Sequence, residues 1–230
     1  MRIGIISEGG ADTAVITNIL KGITGLDSSN FVPIRPRLSF DNTTLQHLDP
    51  DQKGGWSLVQ LECQEKKKID DFFSLEDATH IIVHIDSAEA EQYGIRRSDK
   101  SHHEYCTELR TEIINKIKEW LNHKYEEKIL YAIAIEEIDA WVLVMYHDKA
   151  TCQITNPKGK LQYILNKKGE ISTSNYKNYF RLTKPFSKKN ALIKEGYLDL
   201  NCSLKMFYDD ATAVFIPPQK NIIEDPNINN

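Results

Sequence analysis

No apolar run in this 230-residue chain approaches the roughly 18 residues that a bilayer span requires. The opening segment passes from MRIGIIS straight into a glycine turn without a small-residue cleavage site. Both features predict a soluble, cytoplasmic protein with no membrane contact. Cysteine is scarce: Cys63, Cys106, Cys152 and Cys202 stand far apart with no CxxC pair. That spacing excludes a zinc ribbon or a dithiol redox motif and favours free thiols in a reducing compartment. There is no internal repeat, and no strong excess of one charge sign over the whole chain, whose formal net charge is −4.

What is present is a division of charge along the chain. From His147 to Lys205 there are twelve Lys or Arg against four Asp or Glu, a balance of +8 that leaves −12 for the remainder. A basic segment beside an acidic one can hold a polyanion near carboxylates, although lysines also solvate an ordinary surface. A hydrophobic content of 40% at this length supports one sizeable core.

Apolar patterning predicts strands at Arg2 to Ile6, Thr79 to Ile85 and Ile129 to Ile135, with a weaker one over Phe31 to Leu38. The two prolines of that last run place it at an edge. THIIVHI and ILYAIAI are continuous β-branched or apolar runs, as expected of strands buried on both faces. Helical spacing follows each: Ala14 to Leu20, Trp56 to Phe73, Tyr105 to Leu121 and Ile138 to Met145. The alternation predicts an α/β fold, a mainly parallel sheet flanked by helices, with right-handed crossovers. Residues 1–150 form the expected α/β domain, 151–216 a basic helical extension packed on it, and 217–230 a disordered tail.

Three of these strands end in acids: Glu8 after the first, Asp86 after THIIVHI, and Glu136, Glu137 and Asp139 after ILYAIAI. Ligand groups collect at the carboxyl ends of parallel strands. Neighbouring strands lie about 4.8 Å apart, so such carboxylates converge on one cation. Hard oxygen ligands suit Mg²⁺ or Mn²⁺. Glu8 favours this role because Gly9 and Gly10 permit close backbone approach. Asp12 reads rather as a helix cap, His84 as a satisfied core histidine, Glu89 as a solvated acid able to complete a ligand set, and Trp141 as core. The His102-His103 pair has no matching ligand spacing.

These motifs resemble the topoisomerase–primase (TOPRIM) family. IGIISEGGADTAVITNIL is similar to its first motif, with Glu8, Gly9 and Asp12 at the motif positions, and IIVHIDSAEAE to its second, an Asp-x-Asp after a strand. Asp86 matches the first aspartate, while the second falls on Ala88. AIAIEEIDAWVLVMY resembles the Glu-x-Trp pattern of the small RloB and overcoming-lysogenization-defect nucleases, with Asp139 in the glutamate position. The resemblance implies a TOPRIM/Rossmann-like fold and a Mg²⁺-dependent phosphodiester nuclease of anti-phage or foreign-DNA defence. It implies Glu8, Asp86, Lys184 and Lys188 as catalytic, and Glu8, Asp86, Glu89, Glu136 and Asp139 as the metal set. Lys158, Lys160, Arg181, Lys184, Lys188 and Lys189 would face nucleic acid, DNA ahead of RNA. An ATPase or other defence partner and a homodimer are further expectations. The alternative is a regulatory subunit that binds nucleic acid or a partner with little turnover. A phosphoacceptor receiver domain fits poorly, because only Glu8 follows the first strand where a pair of acids is needed.

Overall fold

The computed structural model describes residues 1–37, 55–97, 104–152 and 154–216. The tail beyond residue 216, the polar stretch 38–54 and the His102-His103 pair therefore lie outside the described residues. The chain builds a four-stranded, wholly parallel sheet from β1 (Arg2–Ile6), β2 (Phe31–Arg35), β3 (Ala78–Asp86) and β4 (Ile129–Ala134), ordered β2-β1-β3-β4. The proline-containing β2 takes an edge, where its Pro33 breaks the register with β1 between Ile5 and Ile6. The long β3 lies at the centre, pairing Ile82 with Ile5 on one side and with Leu130 on the other.

Both faces are covered, which explains the unbroken apolar runs. One face, with Ile3, Ile5, Ile82, Leu130 and Ala132, packs on α1 (Gly10–Thr24), α5 (Asp139–Leu143) and the C-terminal helices. The other, with Ile6, Ile81, Val83, Ile85 and Ile133, packs on α2 (Trp56–Glu65), α3 (Lys67–Phe73) and α4 (Tyr105–Trp120). On this second face position 4 is glycine, since a β-carbon there would sit 2.6 Å from Ile34 Cδ1 and 2.9 Å from Ile81 Cγ1. The single helix expected over 56–73 is in fact α2 and α3, broken where Lys66 turns left-handed at φ 59°.

α1 is buried on almost every side, from Ala11 to Ile23. A helix apolar all round needs cover on both flanks. The sheet provides one, and the C-terminal segment provides the other through α7 (Tyr176–Leu182), the 3₁₀ turn Lys184–Ser187 and α9 (Cys202–Phe215), while α6 (Pro157–Lys167) packs on α5 and α8 (Ala191–Lys194) packs on that turn. Asn18 of α1 satisfies its buried amide by donating to Phe180 O at 2.8 Å and Thr183 Oγ1 at 2.9 Å. Gly22 lets the chain at Phe186 pass so near that a β-carbon would meet Phe186 O at 2.1 Å. Trp141 is fully buried, stacks on Phe207 of α9 at 5.5 Å and donates its indole N–H to Ser203 Oγ at 2.8 Å.

The cysteines correct the expectation of four free thiols. Cys106 on α4 and Cys202 at the start of α9 form a disulfide, while Cys63 and Cys152 are free and buried. The two partners are 96 residues apart in sequence. Only the meeting of α4 and α9 brings them together.

Candidate acidic metal site

β1, β3 and β4 run side by side, so their carboxyl ends open at one edge of the sheet. After β1, Ser7 Oγ donates to Gly9 O at 2.9 Å and pairs with Thr13 Oγ1 at 2.8 Å, fixing the turn that carries Glu8. Glu8 Oε1 then accepts the backbone N–H of Asp86 at 2.8 Å, tying the end of β1 to that of β3. Asp86 Oδ1 accepts the N–H of Ile138 at 2.9 Å, tying β3 to the turn after β4. In that turn Glu137 Oε2 accepts from Lys158 N–H at 3.2 Å, and Asp139 Oδ1 accepts a hydrogen bond from the Tyr179 hydroxyl. Each of these four acids commits one oxygen to the frame.

What it encloses is a cavity of about 210 Å³ lined by Glu8, Asp12, Asp86, Glu137 and Asp139, with Lys158 and Ser174 at its rim. Burial pushes the Glu8 carboxyl up to about 8, aided by the charge of Asp86. Burial likewise raises Asp12 to about 7 and Asp139 to about 6, and it raises Glu137. Carboxylates so crowded in low dielectric resist ionising together unless a positive charge joins them.

One such charge is built in. His84, wholly buried on β3, has Nδ1 2.6 Å from Ala132 O. A carbonyl only accepts, so Nδ1 carries the hydrogen and Nε2 faces the acids, 3.2 Å from Asp86 Oδ1 and 4.0 Å from Asp12 Oδ2. Burial disfavours its charge, but Asp86, Asp12 and Glu8 outweigh that and hold the ring up to about 9. His84 is thus a counter-ion beneath the cavity, more than a core histidine. The alternation of THIIVHI revealed its burial; of the carboxylates facing it, Asp86 ends the same strand and Asp12 comes from α1.

Asp12 occupies the first turn of α1 near the Gly9 backbone, the position of a helix cap, yet it also lines the cavity. Glu136 corrects the sequence reading: it turns away at φ 65° and lies 3.4 Å from Arg97 Nη1, so Glu137 lines the cavity in its stead. Consecutive residues in a turn diverge, and sequence cannot tell which of the pair points inward. Glu89 is exposed at the start of the 3₁₀ turn 90–93 and does not line the cavity.

The basic residues divide among separate places. Lys158 reaches the acidic cavity from the first turn of α6, where its own N–H is taken by Glu137 Oε2 and that of Gly159 by Asn156 Oδ1. Arg181, Lys184 and Lys188 line a different cavity of about 480 Å³ with Tyr146 and Asn178. The expected catalytic placement of Lys184 and Lys188 beside the acids is therefore corrected. α7 separates the two cavities, with Tyr179 on the acidic side and Asn178 and Arg181 on the basic side. Lys160 Nζ is 2.7 Å from His147 Nε2, and Lys189 is exposed and lines neither cavity.

The donors are hard oxygens, so in charge and chemistry they fit Mg²⁺ or Mn²⁺. Among the described residues no three Asp or Glu side chains each bring an oxygen within 4.8 Å of the others. No helix among the described residues is long and apolar enough to cross a membrane. Comparison with family models, with curated proteins and with solved structures yields no significant match.

Proposed function

We propose that the chain is a TOPRIM-type phosphodiester nuclease that uses Mg²⁺ or Mn²⁺, acting on nucleic acid, DNA ahead of RNA. The observation that carries this reading is the meeting of Glu8, Asp12, Asp86, Glu137 and Asp139 around one cavity with Lys158 on its rim. Glu8 and Asp86 would hold the cation, with Asp139 or Glu137 on its far side. When bound, a divalent cation polarises a phosphate and lowers the pKa of a nearby water.

The chain's own groups do the rest. The Lys158 ammonium orients a phosphate oxygen and balances charge on it. Glu8 is the candidate general base, the role that the family pattern places at this position. Its hydrogen bond from Asp86 N–H fixes the carboxylate. The basic cavity of Arg181, Lys184 and Lys188 beyond α7 receives the flanking backbone. By the family resemblance, the work is anti-phage or foreign-DNA defence in the cytoplasm, beside an ATPase or similar partner and with a second copy of the chain.

The test is nicking of supercoiled plasmid, and of a matched RNA, in Mg²⁺ and Mn²⁺. Wild type should cut, while Glu8→Ala and Asp86→Ala should lose at least a hundredfold in rate; equal activity in the variants sinks the assignment. The second reading, a binding subunit without turnover, draws on Ala88 where the motif expects an aspartate. It requires salt-sensitive nucleic-acid binding with no cleavage in either metal.

A further inference from the structure

Behind the turn that presents Glu137 and Asp139 lies a second cluster, made of sulfur. Cys106, Cys152 and Cys202 bring their Sγ atoms within 4.8 Å of one another, on α4, on the segment after α5 and on the first residue of α9. Two of them are joined and the third, Cys152, is a free thiol at the same spot. Cys63, the other free thiol, belongs to α2 and is not part of the cluster.

We propose that these three cysteines form a thiol–disulfide exchange site, in which Cys152 attacks the Cys106–Cys202 bridge and moves it. The Cys152 thiol gives its proton to solvent, and the thiolate bonds to Cys106 Sγ. The Cys106–Cys202 bond breaks, and Cys202 leaves as a thiolate that later takes up a proton. One disulfide and one thiol exist before and after, so the step needs no oxidant. Cys202 is the favoured leaving group because it opens the 14-residue α9, and a helix N-terminus stabilises a thiolate. It is also more exposed than Cys106 and Cys152, so exchange brings a reactive sulfur toward solvent.

The position of the bridge decides what is clamped. In the first state α4 is tied to the start of α9, where Asn201 and Ser203 hold the turn after β4. Ser203 Oγ accepts the N–H of Ile135 at 3.3 Å and the indole of Trp141 at 2.8 Å, while Asn201 Nδ2 donates to Thr151 Oγ1 at 2.9 Å. In the second state α4 is tied to residue 152 and the start of α9 is released. This inference does not depend on the metal-dependent reading of the acidic cavity.

The full-length chain is equilibrated in reduced and oxidised glutathione, trapped with acid and N-ethylmaleimide, and its bridges mapped by mass spectrometry. Wild type should show Cys106–Cys202 together with a Cys106–Cys152 fraction, and Cys63 in neither. Cys202→Ser should form Cys106–Cys152, and Cys106→Ser should form Cys152–Cys202, each in most chains. The proposal is overturned if Cys152 stays unbridged in wild type and in both variants. It is equally overturned if the purified chain holds one zinc that shields all three thiols from alkylation, since the cluster is then a metal site.

Discussion

Replacing Glu8 by Gln should make the metal-free protein more stable at high pH, the reverse of what a removed hydrogen-bonding residue does in an ordinary core. Glutamine keeps an oxygen to accept Asp86 N–H, so the frame that joins β1 to β3 survives. What disappears is a charge whose carboxyl stands at about 8 instead of 4.5. At about 1.4 kcal/mol per tenfold change, that rise sets a ceiling of about 4–5 kcal/mol against the ionised folded state. Glu8 is part-exposed, and solvent screening brings the working figure to about 2 kcal/mol. For a chain of this size 1 kcal/mol moves Tm by about 2–4 °C. Glu8→Gln should therefore melt about 4–8 °C higher than wild type at pH 9 in EDTA. At pH 5 the folded wild type already carries a neutral Glu8, and the difference should vanish. Adding Mn²⁺ at pH 8 reverses the order: saturation at a hundred times Kd stabilises wild type by about 2.7 kcal/mol, whereas the variant gains little. Scanning calorimetry or dye-reported melting measures all three conditions. A variant that melts lower than wild type at both pH values, or that keeps the full Mn²⁺ gain, refutes the assignment of Glu8 as a strained metal ligand.

Metal-free wild type should lose stability steadily from about pH 5 to pH 9. Glu8 and Asp12 are acids with raised folded values, so the folded state holds protons that the unfolded chain has released. His84, raised to about 9, likewise loses its contribution as pH climbs from 6.5 through 9, and a urea titration series with flat stability over this range contradicts all three. Tyr179→Phe removes the hydroxyl donor from the buried Asp139. This should cost about 1–3 kcal/mol, read as a lower urea midpoint with an unchanged slope. Gly22→Ala forces a β-carbon onto Phe186 O at 2.1 Å and should cost about 2–3 kcal/mol by separating the C-terminal segment from α1; a Tm within a degree of wild type would show that the segment yields freely. His84→Gln takes the buried cation from beneath the acids and should tighten the pH dependence of Mn²⁺ binding, with titration calorimetry at pH 6 and pH 8 as the measurement.

How far the sequence reaches differs between strands and turns. The runs RIGII, THIIVHI and ILYAIAI determined strands buried on both faces, because β-branched residues without polar alternation have no other soluble home. The prolines of FVPIRPRL determined an edge, because a ring nitrogen cannot donate to a neighbour on its closed side. The acid at each strand end determined that Glu8 and Asp86 would stand at one edge of the sheet. Tertiary structure alone decided the rest. Whether Glu136 or Glu137 faces the cavity depends on one left-handed backbone residue and on Arg97 across a loop. His84 becomes a counter-ion only because Glu8 and Asp12 arrive from another segment to join Asp86, and Lys158 joins the site only because α6 begins there. The meeting of Cys106, Cys152 and Cys202 is of the same kind. Local patterning records which faces of an element seek cover, but a side chain's charge state and partners are set by whatever packing brings within a few ångströms of it.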